Sequence, residues 1–356
     1  MNETLIISTS DVDRIVREAG PDAVMDELIA HVGEAFATYN PSETRAPVRG
    51  GFSYDRPVTG LVEWMPCMRV GQEVVVKMVG YHPENPERFG LPTIVSTIST
   101  YDTSTGHLSC LMDATLLTAM RTGAASAVAS SLMCRPDATE LGLIGAGAQA
   151  ITQVHALCRV LPIRRIRVYD IDDSALKTFA KRLDGLAADI EIEITDRDDV
   201  VRNSDVLCTA TSVGVGKGPV IGHVEPRSWA HINAVGSDFP GKTELPVSIL
   251  RRSLVVPDFE EQAVKEGECQ QLKADEIGPS LAHFAGHPAL AREHRDSLTV
   301  FDSTGWALED AAAMEVFLAH ALRMGLGRSV RLEATPDDPR DPYESVRAAI
   351  ETHLTD

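Results

Sequence analysis

The sequence predicts an α/β protein whose second half is a doubly wound, Rossmann-type parallel sheet, preceded by a strand-rich part that opens with helices. Three observations predict it. After Pro136, short apolar runs alternate with helical stretches: "ELGLIG", "RRIRVYD", "DVLCTATS", "AHINAVGS", "SLVVPDF" and "SLTVFDST" read as strands, and "AQAITQVHALCRVL" as a helix. The segment "LGLIGAGAQA" sets Gly145, Gly147 and Ala150 between the first strand and that helix, the arrangement that turns a chain tightly beside a pyrophosphate. From residue 58 to 111 the chain is instead rich in Val, Ile, Thr and Tyr, as in "GLVEWMPC", "EVVVKMVGYH" and "TIVSTISTYDTSTGHLSCLM".

Each element has a local cause. "SDVDRIVREAGPDAVMDELIAHVGEAFATYN" predicts two helices, with Ser10 as N-cap of the first and Pro21 opening the second. Val24, Leu28 and Val32 recur every four residues and give that second helix one apolar face. "DTSTG" predicts a hairpin turn between two strands. A helix follows from near Asp113, and the small residues of "RTGAASAVASS" let another backbone approach it closely. "WALEDAAAMEVFLAHALRMG" is helical and stops at Gly325, a suitable residue for a C-cap. The acidic, proline-rich "TPDDPRDPYE" precedes a short closing helix.

The length of 356 residues leaves room for two domains, each with its own core. A net charge of −19 makes nucleic acid and anionic membranes poor partners for most of this surface. The six cysteines contain no C-x-x-C pair and read as buried, reduced thiols of a cytoplasmic protein. The start lacks a basic n-region, and no uncharged apolar run reaches membrane-spanning length. His223, His231, His283 and His287 lack ligand-type spacing, so no metal site is expected.

The glycine loop predicts a dinucleotide site. Gly147 lets backbone N–H groups reach a pyrophosphate at the positive end of a helix. Asp170 ends the next strand 25 residues after Gly145, near the place of an acid that binds the adenosine ribose. Its alternative role is that of a turn residue. An acid there favours NAD over NADP, although Arg164, Arg165 and Arg167 lie nearby.

At this point the chain resembles the ornithine cyclodeaminase and μ-crystallin family. The resemblance is carried in order by "EWMP", "VKMVGYHPEN", "GLPTIVS", "LTAMRTGAASAVAS", "LIGAGAQ", "HINAVGSDFPGKTEL", "EGECQQL" and "FDSTGWALED". It implies an α+β substrate-binding and dimerisation domain, residues 1–130 with 315–356, around a Rossmann NAD-binding domain, residues 131–314. A homodimer formed through the strands is implied, with the active site in the cleft.

The implied chemistry is redox-neutral. A hydride leaves Cα of a basic L-amino acid for NAD, the side-chain amine attacks the resulting imine carbon, ammonia departs, and hydride returns. L-Lysine gives L-pipecolate by this route and L-ornithine gives L-proline; among family members, the chain looks most like those acting on lysine. By resemblance, Arg49, Lys77 and Arg121 hold the substrate carboxylate, with Arg45 a rival for Arg49. Lys77 lies in an apolar strand, where an unpaired ammonium is costly, and a bound anion accounts for it. For Arg121 a structural salt bridge is the alternative. Asp238 matches the acid/base that takes an amine proton, with Glu63 in support; as bare residues, Asp238 suits a turn stabiliser and Glu63 an exposed strand position.

Cofactor contacts carry over to Thr93, Arg121, Gly145, Gly147, Ala148, Gln149, Asp170, Thr211, Val235, Ser237, Lys242 and Ser303, with Thr304 near the substrate. Leu61 and Ile94 line the side-chain pocket. Ser237 departs from the glycine expected there. In "HINAVGSDFPGKTEL" Asp238 and Lys242 receive separate tasks, amine protons and cofactor, and Glu244 receives none. Two other readings stay open: an NAD(P)H-dependent imine reductase or amino-acid dehydrogenase, and a non-catalytic cofactor or hormone binder.

Overall fold

The computed structural model describes residues 3–187, 190–344, 346 and 347. The strand-rich part forms one mixed sheet. Its strands are β1 (Thr4–Ile7), β2 (Thr44–Arg45), β3 (Gly50–Tyr54), β4 (Gly60–Arg69), β5 (Glu73–Tyr81), β6 (Ile94–Asp102) and β7 (Leu108–Asp113). The second sheet contains β8 (Glu140–Ile144), β9 (Arg165–Tyr169), β10 (Glu191–Ile194), β11 (Val206–Thr209), β12 (His231–Ala234), β13 (Leu254–Pro257) and β14 (Thr299–Asp302). A last strand, β15 (Arg328–Val330), returns to the first sheet beside β1.

Alternation decides the faces of the first sheet. Along β4 and β5, Leu61, Met65, Cys67, Val75, Lys77 and Val79 point inward and are buried, while Trp64 and Met78 are exposed. The register Leu61↔Tyr81↔Ile94 places these three side by side at one end of the inner face. On the outer face, Val62, Met78 and Val95, with Phe89 and Leu91, line an open hollow of about 480 Å³. The turn between β6 and β7 is held by Asp102, whose Oδ1 accepts N–H groups from Ser104 and Thr105.

The second sheet is entirely parallel, in the order β10-β9-β8-β11-β12-β14-β13. Separate apolar clusters pack on it, one including Val154, Leu157 and Phe179, the other Val200, Leu250 and Ala263. This is the doubly wound arrangement, and its strand order reverses between β8 and β11. β10, "EIEI", has no apolar run because it is a half-exposed edge strand; it was missing from the sequence-predicted strands.

Helices join the sheets. Pro21–Ala37 buries Val24, Leu28 and Val32, as its spacing predicts. The first helix, Thr9–Ala19, is capped by Ser8 rather than Ser10: the Ser8 N–H donates to Asp11 at 2.9 Å. The helix Thr115–Met133 lies against the helix Ala148–Val160 at Gly123, where a Cβ would stand 2.5 Å from the Thr152 carbonyl oxygen. The helix Ala307–Met324 packs into the core of the first sheet and runs unbroken through position 314; Gly325, at φ 63°, ends it. The closing helix expected after the proline-rich tail falls almost entirely on residues outside those described.

Candidate active site

The carboxyl ends of β8, β11, β12 and β14 meet the inner face of the first sheet, and the charged residues gather there. The glycine loop comes first. Gly145 has φ 103°, and a Cβ on it would lie 2.6 Å from the Ala210 carbonyl oxygen, so this turn requires glycine. At Gly147 a Cβ would meet nothing within 4 Å. Its backbone is open to a ligand, at the start of the helix Ala148–Val160. Asp170 braces the loop, accepting the Ala146 N–H at 2.6 Å through Oδ2 and the Asp172 N–H at 2.9 Å through Oδ1. Arg182 holds it from below by donating to the Ala146 carbonyl at 2.6 Å. Gln149 turns back, donating to Thr152 Oγ1 at 2.9 Å.

Three buried carboxylates organise the next loops. Asp302 accepts the N–H groups of Glu268 and Cys269, each at 2.8 Å. Glu268 accepts those of Glu244 at 2.6 Å and Leu245 at 3.3 Å. Glu244 accepts the Thr211 N–H and hydroxyl at 2.7 Å and the Gly236 N–H at 2.8 Å. Glu244 therefore has a task that the sequence left unassigned: it ties the loop after β11 to the loop after β12. Burial raises all three carboxyls, Asp302 to about 6 and Glu268 well above its ordinary value. Ser237 is buried and donates to the Lys242 carbonyl at 2.6 Å, closing its own loop. Val235 and Ser303 sit buried at the ends of β12 and β14, and the Ser303 hydroxyl has no hydrogen-bond partner among the described residues.

Asp238 and Lys242, for which separate tasks were expected, are joined by an ion pair. Lys242 Nζ donates to Asp238 Oδ1 at 2.8 Å. Burial alone would lower the Lys242 ammonium, but the carboxylate outweighs it and holds the group above its ordinary value. Lys242 also stands 5.5 Å from the centre of the Tyr81 ring, between Leu61 and Ile94 in the sheet register. Thr93, beside Ile94, accepts the His82 N–H through its carbonyl at 2.8 Å.

Lys77 also has a permanent counter-charge, which corrects the expectation that a bound anion alone accounts for it. Its Nζ lies 2.7 Å from Asp310 Oδ1, both side chains being 1% exposed. Arg121 Nε shares that oxygen at 2.8 Å, and Arg121 Nη1 donates to Glu309 Oε2 at 2.7 Å. Two cations thus face two acids supplied by the first turn of the helix Ala307–Met324. Burial and the neighbouring Arg121 pull the Lys77 ammonium down to about 8. The pairing of Lys77 and Arg121 with that helix was not visible in "WALED", where the acids resemble ordinary first-turn residues.

Arg49 is the central cation, whereas Arg45 is exposed on β2. Arg49 Nη2 donates to the Asp238 carbonyl at 2.7 Å and Nη1 to the Thr304 carbonyl at 3.2 Å. Its guanidinium pairs with Glu266 at 2.7 Å and reaches Glu63 at 3.5 Å. The Thr304 hydroxyl donates to Asp258 at 2.9 Å and accepts from Gln262 at 2.9 Å. Burial raises the Glu63 carboxyl and Asp238 adds to this, against the pull of Arg49. Glu266, Tyr81, Asp258 and Gln262 escaped sequence reasoning, since each is marked by its neighbours in space rather than by its spacing in the chain.

Comparison with known proteins agrees with this architecture. The sequence profile of the ornithine cyclodeaminase/mu-crystallin family matches residues 11–323. The L-lysine cyclodeaminase of Streptomyces rapamycinicus is 46% identical over 96% of this chain and 99% of its own length. A solved lysine cyclodeaminase, studied for recognition of L-lysine, L-ornithine and L-2,4-diamino butyric acid, has a TM-score of 0.93 at 49% identity. It covers 96% of this chain, which covers 99% of it. An archaeal alanine dehydrogenase dimer with bound NAD has a TM-score of 0.82 at 31% identity, over 93% of this chain and 100% of its own. The chain belongs to the ornithine cyclodeaminase/mu-crystallin family.

Proposed function

We propose that this protein is an NAD-dependent cyclodeaminase that converts L-lysine to L-pipecolate and ammonia. The observation that carries this reading is the meeting, in one cleft, of an open glycine cradle, the paired cations Lys77 and Arg121, and the acid Asp238 at the carboxyl edge of β12. Family membership and the likeness to lysine cyclodeaminases support it.

Gly145, Gly147, Ala148, Gln149 and Asp170, with Thr93, Arg121, Thr211, Val235, Ser237, Lys242 and Ser303 beside them, would hold NAD, which when bound would supply reversible hydride acceptance at the substrate Cα. The protein's own residues do the rest. Lys77 and Arg121 orient the substrate carboxylate, and Arg49 joins them through Nε, which faces Glu63 at 3.5 Å and has no hydrogen-bond partner among the described residues. Asp238 takes a proton from the amine so that its lone pair can close the ring. Lys242 fixes the orientation of Asp238, Glu63 stands by as a second acid, and Thr304 braces the turn after β14. Leu61 and Ile94 flank the aliphatic chain of the substrate.

The first sheet, with residues 1–130 and 315–356, acts as the substrate-binding and dimerisation domain, and residues 131–314 as the cofactor domain. The homodimer forms on the outer sheet face, where Phe52, Trp64, Met78 and Val95 are exposed. Six unpaired thiols suit a cytoplasmic enzyme. No described helix is long and apolar enough to cross a membrane.

The test is incubation with L-lysine or L-ornithine and NAD far below the substrate concentration. Ammonia with pipecolate and no accumulating NADH is expected. NADH formed in step with substrate loss would overturn the reading in favour of a dehydrogenase, and faster turnover of L-ornithine to L-proline would reassign the substrate.

A further inference from the structure

The loop that carries Asp238 and Lys242 is held from outside by one short segment. The 3-10 turn Glu268–Gln271 follows the helix Glu260–Glu266, and Asp302 fixes it to β14 through the Glu268 and Cys269 N–H groups. From this anchored turn the Gln270 amide reaches the tip of the loop. Its Oε1 accepts the Gly241 N–H at 2.7 Å, and its Nε2 donates to the Lys242 carbonyl at 3.0 Å and to the Gly267 carbonyl at 2.8 Å. These bonds engage both ends of the amide and leave it one orientation.

The amide bears on the acid through Lys242. Gly241 takes φ 79° at the exposed tip, where the bonds that fix it come from other segments: Gln270, and the Gly216 N–H that donates to the Gly241 carbonyl at 2.9 Å. One residue on, the Lys242 carbonyl is shared by Gln270 and the Ser237 hydroxyl. The buried Lys242 ammonium then donates to Asp238 Oδ1. Arg49 holds only the carbonyl of Asp238, so the direction of its carboxylate follows from where the Lys242 backbone stands. Gln271, in the same turn, reaches past this pair, donating to the Leu245 carbonyl at 3.0 Å and to Glu268 at 2.7 Å.

We propose that Gln270 is a positioning residue: by fixing the Gly241–Lys242 backbone it holds Lys242 against Asp238 and so aims the acid at the substrate amine. The task given to Asp238 rests on the cyclodeaminase reading, whereas the brace itself is independent of turnover. A shift of about 1 Å at a reacting group costs on the order of 10²-fold in rate. Loss of the brace is therefore read in kcat before it is read in binding.

The test compares Q270M, which keeps the bulk of the side chain and removes its three bonds, with Q271M, which loses bonds of the same turn to Leu245 and Glu268. In Q270M kcat with L-lysine should fall at least about tenfold, while Kd of L-lysine on NADH-loaded enzyme stays within about twofold; Q271M should keep kcat within about twofold. Added to D238N, Q270M should cost nothing further, because the group it aims is already gone. An unchanged kcat in Q270M, an equal loss in Q271M, a parallel loss of L-lysine affinity or a full loss in the D238N background would overturn the proposal. NMR titration of the Lys242 ε-carbon keeps the two claims apart. Against burial, Asp238 holds this ammonium above its ordinary value, and Q270M should move it down whether or not the wild type releases ammonia. An unmoved Lys242 defeats the brace, and a wild type that releases no ammonia defeats the cyclodeaminase alone.

Discussion

Lys242 and Asp238, four residues apart on the loop after β12, form a 2.8 Å ion pair in which the lysine is buried and the aspartate reaches the cleft. A buried ammonium thus fixes the acid at the place where the amine arrives. Asp238→Asn keeps the loop and its hydrogen bond to Lys242 but removes the proton acceptor. NAD binding should persist while kcat falls about 10²–10⁴-fold. An unchanged kcat would remove Asp238 from this role.

The two loop glycines should behave oppositely. Gly145→Ala meets the Ala210 carbonyl and a left-handed backbone, so its melting temperature should fall. Gly147→Ala meets no protein atom and should fold normally, with its loss confined to NAD affinity. Calorimetric titration with NAD on both variants distinguishes the effects, and a stable, tight-binding Gly147→Ala would refute the cradle.

Removing Glu244 leaves the Thr211 and Gly236 N–H groups without their shared acceptor. Glu244→Ala should cost about 1–3 kcal/mol per buried group left unpaired. Because those loops border the cofactor, NAD affinity should fall with it, while L-lysine affinity at saturating cofactor changes little. Denaturant melts and the two binding constants check this.

Asp310 is the shared partner of Lys77 and Arg121. Asp310→Ala strands the buried Lys77 ammonium and leaves Arg121 with Glu309 alone, and urea unfolding should show a loss of about 3–5 kcal/mol. A loss below about 1 kcal/mol would mean that water or another acid satisfies them.

The pH profile follows from two shifted groups. Glu266 becomes anionic as pH rises through about 7, which strengthens its pairing with Arg49 and so the placement of that guanidinium in the cleft. Lys77 loses its proton as pH rises through about 8, which weakens the hold on a carboxylate. The ratio kcat/KM for L-lysine should therefore peak between about 7 and 8, and E266Q should abolish the acidic limb. For stability the sign is opposite on the acid side. The folded Glu266 keeps its proton above the ordinary 4.5, so its contribution is full below that value and is lost as pH rises to about 7. The fall in apoenzyme Tm over this window should be shallower in E266Q; an identical slope would count against the shift.

What the sequence determined by itself was whatever repeats at a fixed spacing. The period near four buries Val24, Leu28 and Val32, and the glycine spacing locates the cradle, whereas "EVVVKMVGYH" does not alternate and only the sheet turned Lys77 to the inner face. The edge strand β10 escaped because one exposed face removes the apolar run that marks its neighbours. Tertiary structure alone decided the charge pairing. Lys77 meets Asp310 across 233 positions and Arg49 meets the Thr304 carbonyl across 255, and no local periodicity encodes such encounters. Glu244 and Glu266 show this most plainly. Both are buried acids near Gly-rich turns, and only their surroundings assign them different work: one accepts backbone N–H groups, the other pairs with the Arg49 guanidinium at 2.7 Å. Burial makes each charge costly, and the fold determines which partner offsets that cost.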